Sequence, residues 1–189
     1  MKLALIRHLP TPANRDGLLQ GRRDLEILPP SDEALETVAR NREALTALGG
    51  DFDQVLVSRL RRTAMTAEVY GYGGAATVEP LLDELDFGRF EGKPRKDMLE
   101  VVGDAWIEAP QDLVLGEPIR ALGERARGML RKYSHCERLL LFGHAAWSRA
   151  LMAIVASGEL SGMNKTRIDN NQLVILEVSR HASEGVREQ

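Results

Sequence analysis

Short runs of consecutive apolar residues alternate along the chain with longer stretches where apolar side chains recur every three or four positions. The first pattern suits strands buried on both faces, the second amphipathic helices. Lys2–His8 predicts a short buried strand. Pro10–Pro30 is polar, broken by Pro and Gly and without a period, so it predicts a long loop of the kind that carries function. Ser31 predicts the cap of a helix with Asp32 and Glu33 in its first turn, where the dipole favours them. Leu35, Val38, Leu45 and Leu48 form its stripe, and Gly49 and Gly50 stop it. Asp53–Ser58 predicts a second strand, and Arg61–Tyr70 a helix ending in a glycine-rich turn. Thr77–Leu82 reads as a strand or extended segment, with Pro80 arguing for a sheet edge. Over Glu84–Leu115 the pattern blurs, predicting one helix around Lys93–Val102 between loops. Glu117–Tyr133 predicts a long amphipathic helix, Arg138–Phe142 the most apolar strand, Ala146–Ala156 a helix ended by Gly158, and Gln172–Val178 the last strand. Arg180–Gln189 is a polar tail.

Strands alternating with helices predict an α/β fold, a three-layer sandwich with a mostly parallel central sheet flanked by helices. Residues 1–179 are expected to form a single domain. The chain has 189 residues, 43% hydrophobic and 28% charged, which excludes wholesale disorder. The lone Cys136 excludes a disulfide framework and a multi-cysteine zinc site. The apolar run Leu151–Ala156 is far shorter than the ~20 residues that span a bilayer. Arg7 and His8 follow Leu3–Ile6 at once, which leaves no signal-peptide core, so a cytoplasmic protein without a membrane partner is expected. A net charge of −3 gives no global pull toward nucleic acid. Of 25 cationic side chains 20 are Arg, through codon bias or through recognition of phosphate or carboxylate. Composition does not separate the two; position can.

In open α/β sheets, ligands gather beyond the carboxyl ends of the strands. The first predicted strand ends in Arg7 and His8, the second in Ser58 and Arg59, and the most apolar one in Gly143 and His144. If these strands are parallel neighbours, two His and two Arg converge on one rim. Guanidinium forks match a tetrahedral oxyanion, and phosphate is the natural guest. A His among them is disfavoured from protonating and is free to attack. A carboxylic acid is then needed to protonate the departing oxygen.

The residues themselves carry a resemblance. Leu5–Asn14, with Arg7, His8, Thr11 and Asn14, resembles the opening Arg-His-Gly-x-Thr-x-x-Asn motif of the histidine phosphatase superfamily, phosphoglycerate-mutase-like branch. Leu19-Gln20-Gly21-Arg22 resembles its Gln-Gly turn, and Val57–Glu68 its Ser-x-Leu-x-Arg-Ala-x-x-Thr-Ala stretch. Leu82–Gly92 is similar to its Glu-x-x-x-Gly-x-Trp-Glu-Gly block, and Phe142–Arg149 to its second-histidine block. Five blocks in order, over about residues 3 to 178, make a strong signal. The resemblance implies His8 as a nucleophile forming a phosphohistidine, with Arg7, an arginine after Ser58 and His144 clamping the phosphoryl oxygens. It implies Glu84 as general acid and later base, with Asp86 as its rival in the same acidic run. Asn14, Gln20 and Gly21 would line the phosphate pocket, and Glu117 would stand near the substrate mouth. Strand-end geometry favours Arg59 as the second arginine. The motif favours Arg62, four residues after Ser58, and leaves Arg59 as a mouth residue. Leu9 stands where the family usually has Gly, Phe90 where it has Trp, and Pro118 where it has Ser.

The implied function is a phosphomonoester phosphatase working without metal or cofactor on a small phosphorylated metabolite. The chain is similar to α-ribazole phosphatases and small broad-specificity phosphatases of the superfamily, which makes α-ribazole phosphate or a sugar phosphate a candidate substrate. The alternatives are mutase-type phosphoryl transfer, a metal-dependent hydrolase using the same histidines, and a non-catalytic phospho-ligand binding module. A homodimer is compatible with the pattern. Trp106 and Trp147 read as packing residues, and His135, His181 and Cys136 take no role.

Overall fold

Alternate residues of the first strand point to opposite faces, and both faces find apolar partners. In the computed structural model, which describes residues 1–179, the strands are β1 (Lys2–Arg7), β2 (Gln54–Val57), β3 (Ala76–Val78), β4 (Arg138–Gly143) and β5 (Leu173–Glu177). They form one five-stranded sheet in the order β3-β2-β4-β1-β5. The first four run parallel, and β5 lies antiparallel along the edge beside β1. The helices are α1 (Pro12–Arg15), α2 (Asp32–Ala47), α3 (Arg61–Val69), α4 (Arg95–Val102), α5 (Ala105–Glu108), α6 (Ile119–Lys132) and α7 (Ala145–Ser157).

Leu3 and Leu5 of β1, with Leu56, Leu139 and Leu141, pack on one face against α6, α7 and the segment from Leu82 to Trp106. Ala4 and Ile6, with Val55, Val57, Leu140 and Phe142, pack on the other against Val38 and Leu45 of α2, Ala67 of α3 and Tyr70. The expected sandwich is thus the observed one. Burial on both faces is why the central strands read as unbroken apolar runs. Pairing of Arg7 with Gly143 and of Val57 with Phe142 brings three strand ends into line.

Three details differ from the sequence pattern. The Pro10–Pro30 loop contains α1, a single turn begun by a Thr11 capping box, too short to display a period. The blurred region holds two helices, α4 and α5, among 3₁₀ turns rather than one helix. Leu35 of the predicted α2 stripe is 47% exposed, leaving Val38 and Leu45 as the buried part. β3 does lie at a sheet edge, and it ends before Pro80, which opens a 3₁₀ turn. Gly158 caps α7 in the left-handed region at φ +79°. Among the described residues no helix is long and apolar enough to cross a membrane. The polar tail, with His181, lies outside the described residues.

Candidate active site

His8 leaves the end of β1 into the aligned rim and is buried. Its Nδ1 lies 2.7 Å from the Leu9 carbonyl. A carbonyl only accepts, so Nδ1 carries the proton and the Nε2 lone pair is left bare. Burial, then the charges of Arg62 and Arg7, hold the imidazole well below its ordinary pKa. The ring is neutral with its second nitrogen free, which is the form a nucleophile needs. The Leu9 amide donates to Thr66 Oγ1 at 3.0 Å, and Asn170 Nδ2 donates to the His8 carbonyl at 2.8 Å, fixing the backbone on both sides. Among the described residues Asn171 alone of the non-glycines has positive φ, so Leu9 bears no left-handed strain in its Gly-like position.

Two guanidiniums flank the ring. Arg7 donates from Nη1 to the Ile168 carbonyl at 2.7 Å. Arg62, in the first turn of α3, is 1% exposed. It donates to the Arg23 and Gly21 carbonyls, each at 2.8 Å, and through Nε to His144 Nδ1 at 3.2 Å. Burial lowers its pKa to about 10, which leaves it charged at neutral pH. Gly21 has φ +52°, and a Cβ there would stand 1.8 Å from Glu91 Oε1. Only glycine therefore offers this carbonyl to Arg62.

His144 begins α7, with its ring centroid 5.4 Å from that of His8. Because Arg62 Nε can only donate, His144 Nδ1 accepts. The proton then sits on Nε2 and is donated to Ser58 Oγ at 2.7 Å. Burial and Arg62 depress this pKa as well. Both ring nitrogens are engaged within the protein, Nδ1 by Arg62 and Nε2 by Ser58.

Glu84 is 6% exposed. Its Oε1 accepts from the Leu85 and Trp147 amides, each at 2.9 Å, and its Oε2 from the Ala146 amide at 3.0 Å. Two of these amides belong to the first turn of α7, whose N–H groups lack helical partners. Asp86, the rival, accepts instead from Gly88 of its own loop at 2.8 Å.

Of the two histidines, the two arginines and Glu84, all but His144, which stands behind Arg62, line one cavity of about 480 Å³. Arg7, His8, Asn14, Gln20, Gly21, Arg62 and Glu84 all line it. Asn14 serves the α1 cap through Thr11, whose hydroxyl also donates to Gln20 Oε1 at 2.8 Å. Besides His144, two predicted residues lie outside the lining. Arg59, its side chain 60% exposed, pairs with Asp83 and does not line the cavity. Glu117 is taken up by Arg125 at 2.7 Å and Arg22 at 3.1 Å, and also accepts from the Asp86 amide. Arg125, which the sequence reading missed, donates to the Asp83 and Glu84 carbonyls, so this pair suspends the loop that carries Glu84. No helical spacing announces it, since Glu117 precedes the helix bearing Arg125. Trp106 and Trp147 are both buried in the core, though Trp106 also touches the cavity. Among the described residues no three His, Cys, Asp or Glu side chains form a group that could hold a metal ion.

Residues 3–187 match the histidine phosphatase superfamily (branch 1). The chain belongs to that superfamily, and with it to the phosphatase class of hydrolases. It is similar to the crystal structure of the alpha-ribazole phosphatase from Shigella flexneri, with 26% identity, 95% of this chain and 91% of that chain covered, and a TM-score of 0.74. It is 28% identical over 179 residues to the adenosylcobalamin/alpha-ribazole phosphatase of Escherichia coli, covering 89% of this chain and 86% of that protein. It is 29% identical over 161 residues to the 2-carboxy-D-arabinitol-1-phosphatase of Triticum aestivum, covering 80% of this chain. It spans only about a third of that relative, 32% of its length.

Proposed function

We propose that this protein hydrolyses the phosphomonoester of a small metabolite through a phosphohistidine on His8. The observation that carries the reading is the His8 ring itself. Its Nδ1 is tied to the Leu9 carbonyl, its Nε2 is bare, and it shares a cavity with Arg7, Arg62 and Glu84. Nε2 attacks phosphorus in line as the bond to the leaving oxygen breaks. Charge spreads over the equatorial oxygens, where Arg7 and Arg62 receive it. Glu84, in its acid form, gives its proton to the departing alkoxide. Water then attacks the phosphohistidine, Glu84 takes the proton from that water, and the N–P bond breaks to return neutral His8. His144 keeps Arg62 aimed by accepting from its Nε. Asn14 and Gln20 complete the phosphate pocket. The named relatives act on different leaving groups, a ribazole and a sugar acid, so the shared part is the phosphoryl end.

Replacing Glu84 with Gln tests the acid. General acid catalysis is worth about 10²–10⁴-fold. Turnover of an alkyl phosphate should fall by that order. Turnover of 4-nitrophenyl phosphate, whose leaving group needs no proton, should fall far less. Equal losses on both esters would remove Glu84 from this role.

A further inference from the structure

Past the reacting end, the same cavity carries a second set of cations that the phosphoryl chemistry does not use. Arg149 is the best defined. It stands on α7 one turn after Ala145, and both residues line the cavity. Its Nε donates to Asn164 Oδ1 at 3.1 Å, and Asn164 Nδ2 donates in turn to the Trp106 carbonyl at 2.9 Å. The guanidinium is thereby fixed, yet among the described residues its Nη1 and Nη2 have no acceptor and no carboxylate forms an ion pair with it. Burial lowers its pKa to about 10, against the opposing pull of the Glu84 charge and with smaller contributions from Arg7 and Arg95, so it remains charged at neutral pH. Arg95, at the start of α4, and Lys165 also line the cavity without an ion-pair partner among the described residues. Arg167 differs, because Asp169 takes its charge at 2.8 Å.

A fixed, half-buried guanidinium whose fork opens into a cavity is built to receive a planar or tetrahedral anion in bidentate fashion. A neutral leaving group seated over the fork would strip its water without supplying a charged partner, an unfavourable exchange. We propose that Arg149, assisted by Arg95 and Lys165, binds a second anionic group on the leaving-group side of the substrate. The substrate class is then a phosphomonoester bearing a carboxylate or a second phosphate, rather than the phosphate of a neutral alcohol. The inference rests on the phosphatase reading above, since it assigns the far end of the same substrate.

The test compares 3-phosphoglycerate, 1,3-propanediol bisphosphate and glycerol 3-phosphate, with 4-nitrophenyl phosphate as a reporter of the phosphoryl chemistry alone. Glycerol 3-phosphate matches 3-phosphoglycerate closely and lacks only the carboxylate charge. The wild-type protein should favour at least one doubly anionic ester over glycerol 3-phosphate by about 10–100-fold in kcat/KM, the worth of a charge-assisted contact. The favoured ester tells carboxylate from phosphate. Arg149→Gln should erase most of that preference, mainly through KM, and Arg149→Lys should restore part of it. Lys165→Ala, at an exposed position, should erode the same preference by a smaller factor. Equal kcat/KM for glycerol 3-phosphate and both doubly anionic esters in the wild type would overturn the proposal. So would an Arg149→Gln loss confined to kcat and equal on all esters, which would make Arg149 a counter-charge for Glu84 instead. Failure to hydrolyse any ester, 4-nitrophenyl phosphate included, would remove the phosphatase reading and this inference together. Hydrolysis of 4-nitrophenyl phosphate without any anion preference would remove the inference alone.

Discussion

Two buried imidazoles lie beside the buried Arg62 and the half-buried Arg7, and burial and charge both favour the neutral form of each ring. That has a consequence for stability. In the unfolded chain each His takes up a proton near pH 6.5, whereas in the fold it does so only at lower pH. Over that interval the unfolded state binds more protons, so stability rises with pH and is lost as pH falls from about 6.5 through the folded values. Urea unfolding should give a midpoint that drops between pH 7 and pH 5. His8→Gln should flatten this drop while acid-sensitive carboxylates act on both proteins alike. Parallel pH profiles for the two proteins would contradict the assignment of a neutral native ring. At this scale the sequence was informative where a motif fixed the register. Motif spacing chose Arg62 over the strand-end Arg59, and the structure buries Arg62 at the cavity and leaves Arg59 on the surface with Asp83. Residues whose role depends on a partner far along the chain were not legible. Thr66, Asn164 and Arg125 act through hydrogen bonds to segments 57, 58 and 41 or more residues away.

The loop carrying Glu84 is an element without regular structure, and it needs outside support. Arg125 on α6 holds its carbonyls, and Glu117 fixes Arg125 and the Asp86 amide. Loosening this support misplaces the carboxylate while sparing the phosphate pocket, and small misplacements of a catalytic group are costly. Arg125→Ala should lower kcat on alkyl phosphates by about 10-fold, with a smaller effect on 4-nitrophenyl phosphate. In the Glu84→Gln background the same substitution should cost little more, as expected of residues acting through one group. Additive losses would give Arg125 an independent function. Long elements with a clear period were legible, α2, α6, α7 and the central strands among them. The single turns α1 and α5 were not, because four residues hold barely one helical repeat. Glu117 was placed at the mouth by its motif, yet two arginines draw it into a supporting position.

For the whole molecule, the decisive fact is that β2, β4 and β1 are parallel neighbours ending together. The alternation of strands and helices predicted a parallel sheet, and the sheet gathers chemistry from residues 7, 62, 84 and 144 at one rim. The antiparallel β5 was beyond the sequence pattern, since an apolar run carries no direction. With guanidiniums supplying the positive charge and an imidazole the nucleophile, the proposed reaction has no step that calls for a metal. Hydrolysis should therefore survive dialysis against a strong chelator, and loss of activity restored by a divalent cation would favour the metal-dependent alternative.

The central claim is that His8 makes the bond to phosphorus. Rapid acid-free quenching of the protein with a radiolabelled phosphate ester, followed by peptide mapping, measures it directly. The label should sit on the peptide containing His8, survive alkali and be released by acid, and His8→Ala should carry none and turn over no substrate. An unlabelled protein during steady turnover, or full activity in His8→Ala, would contradict it.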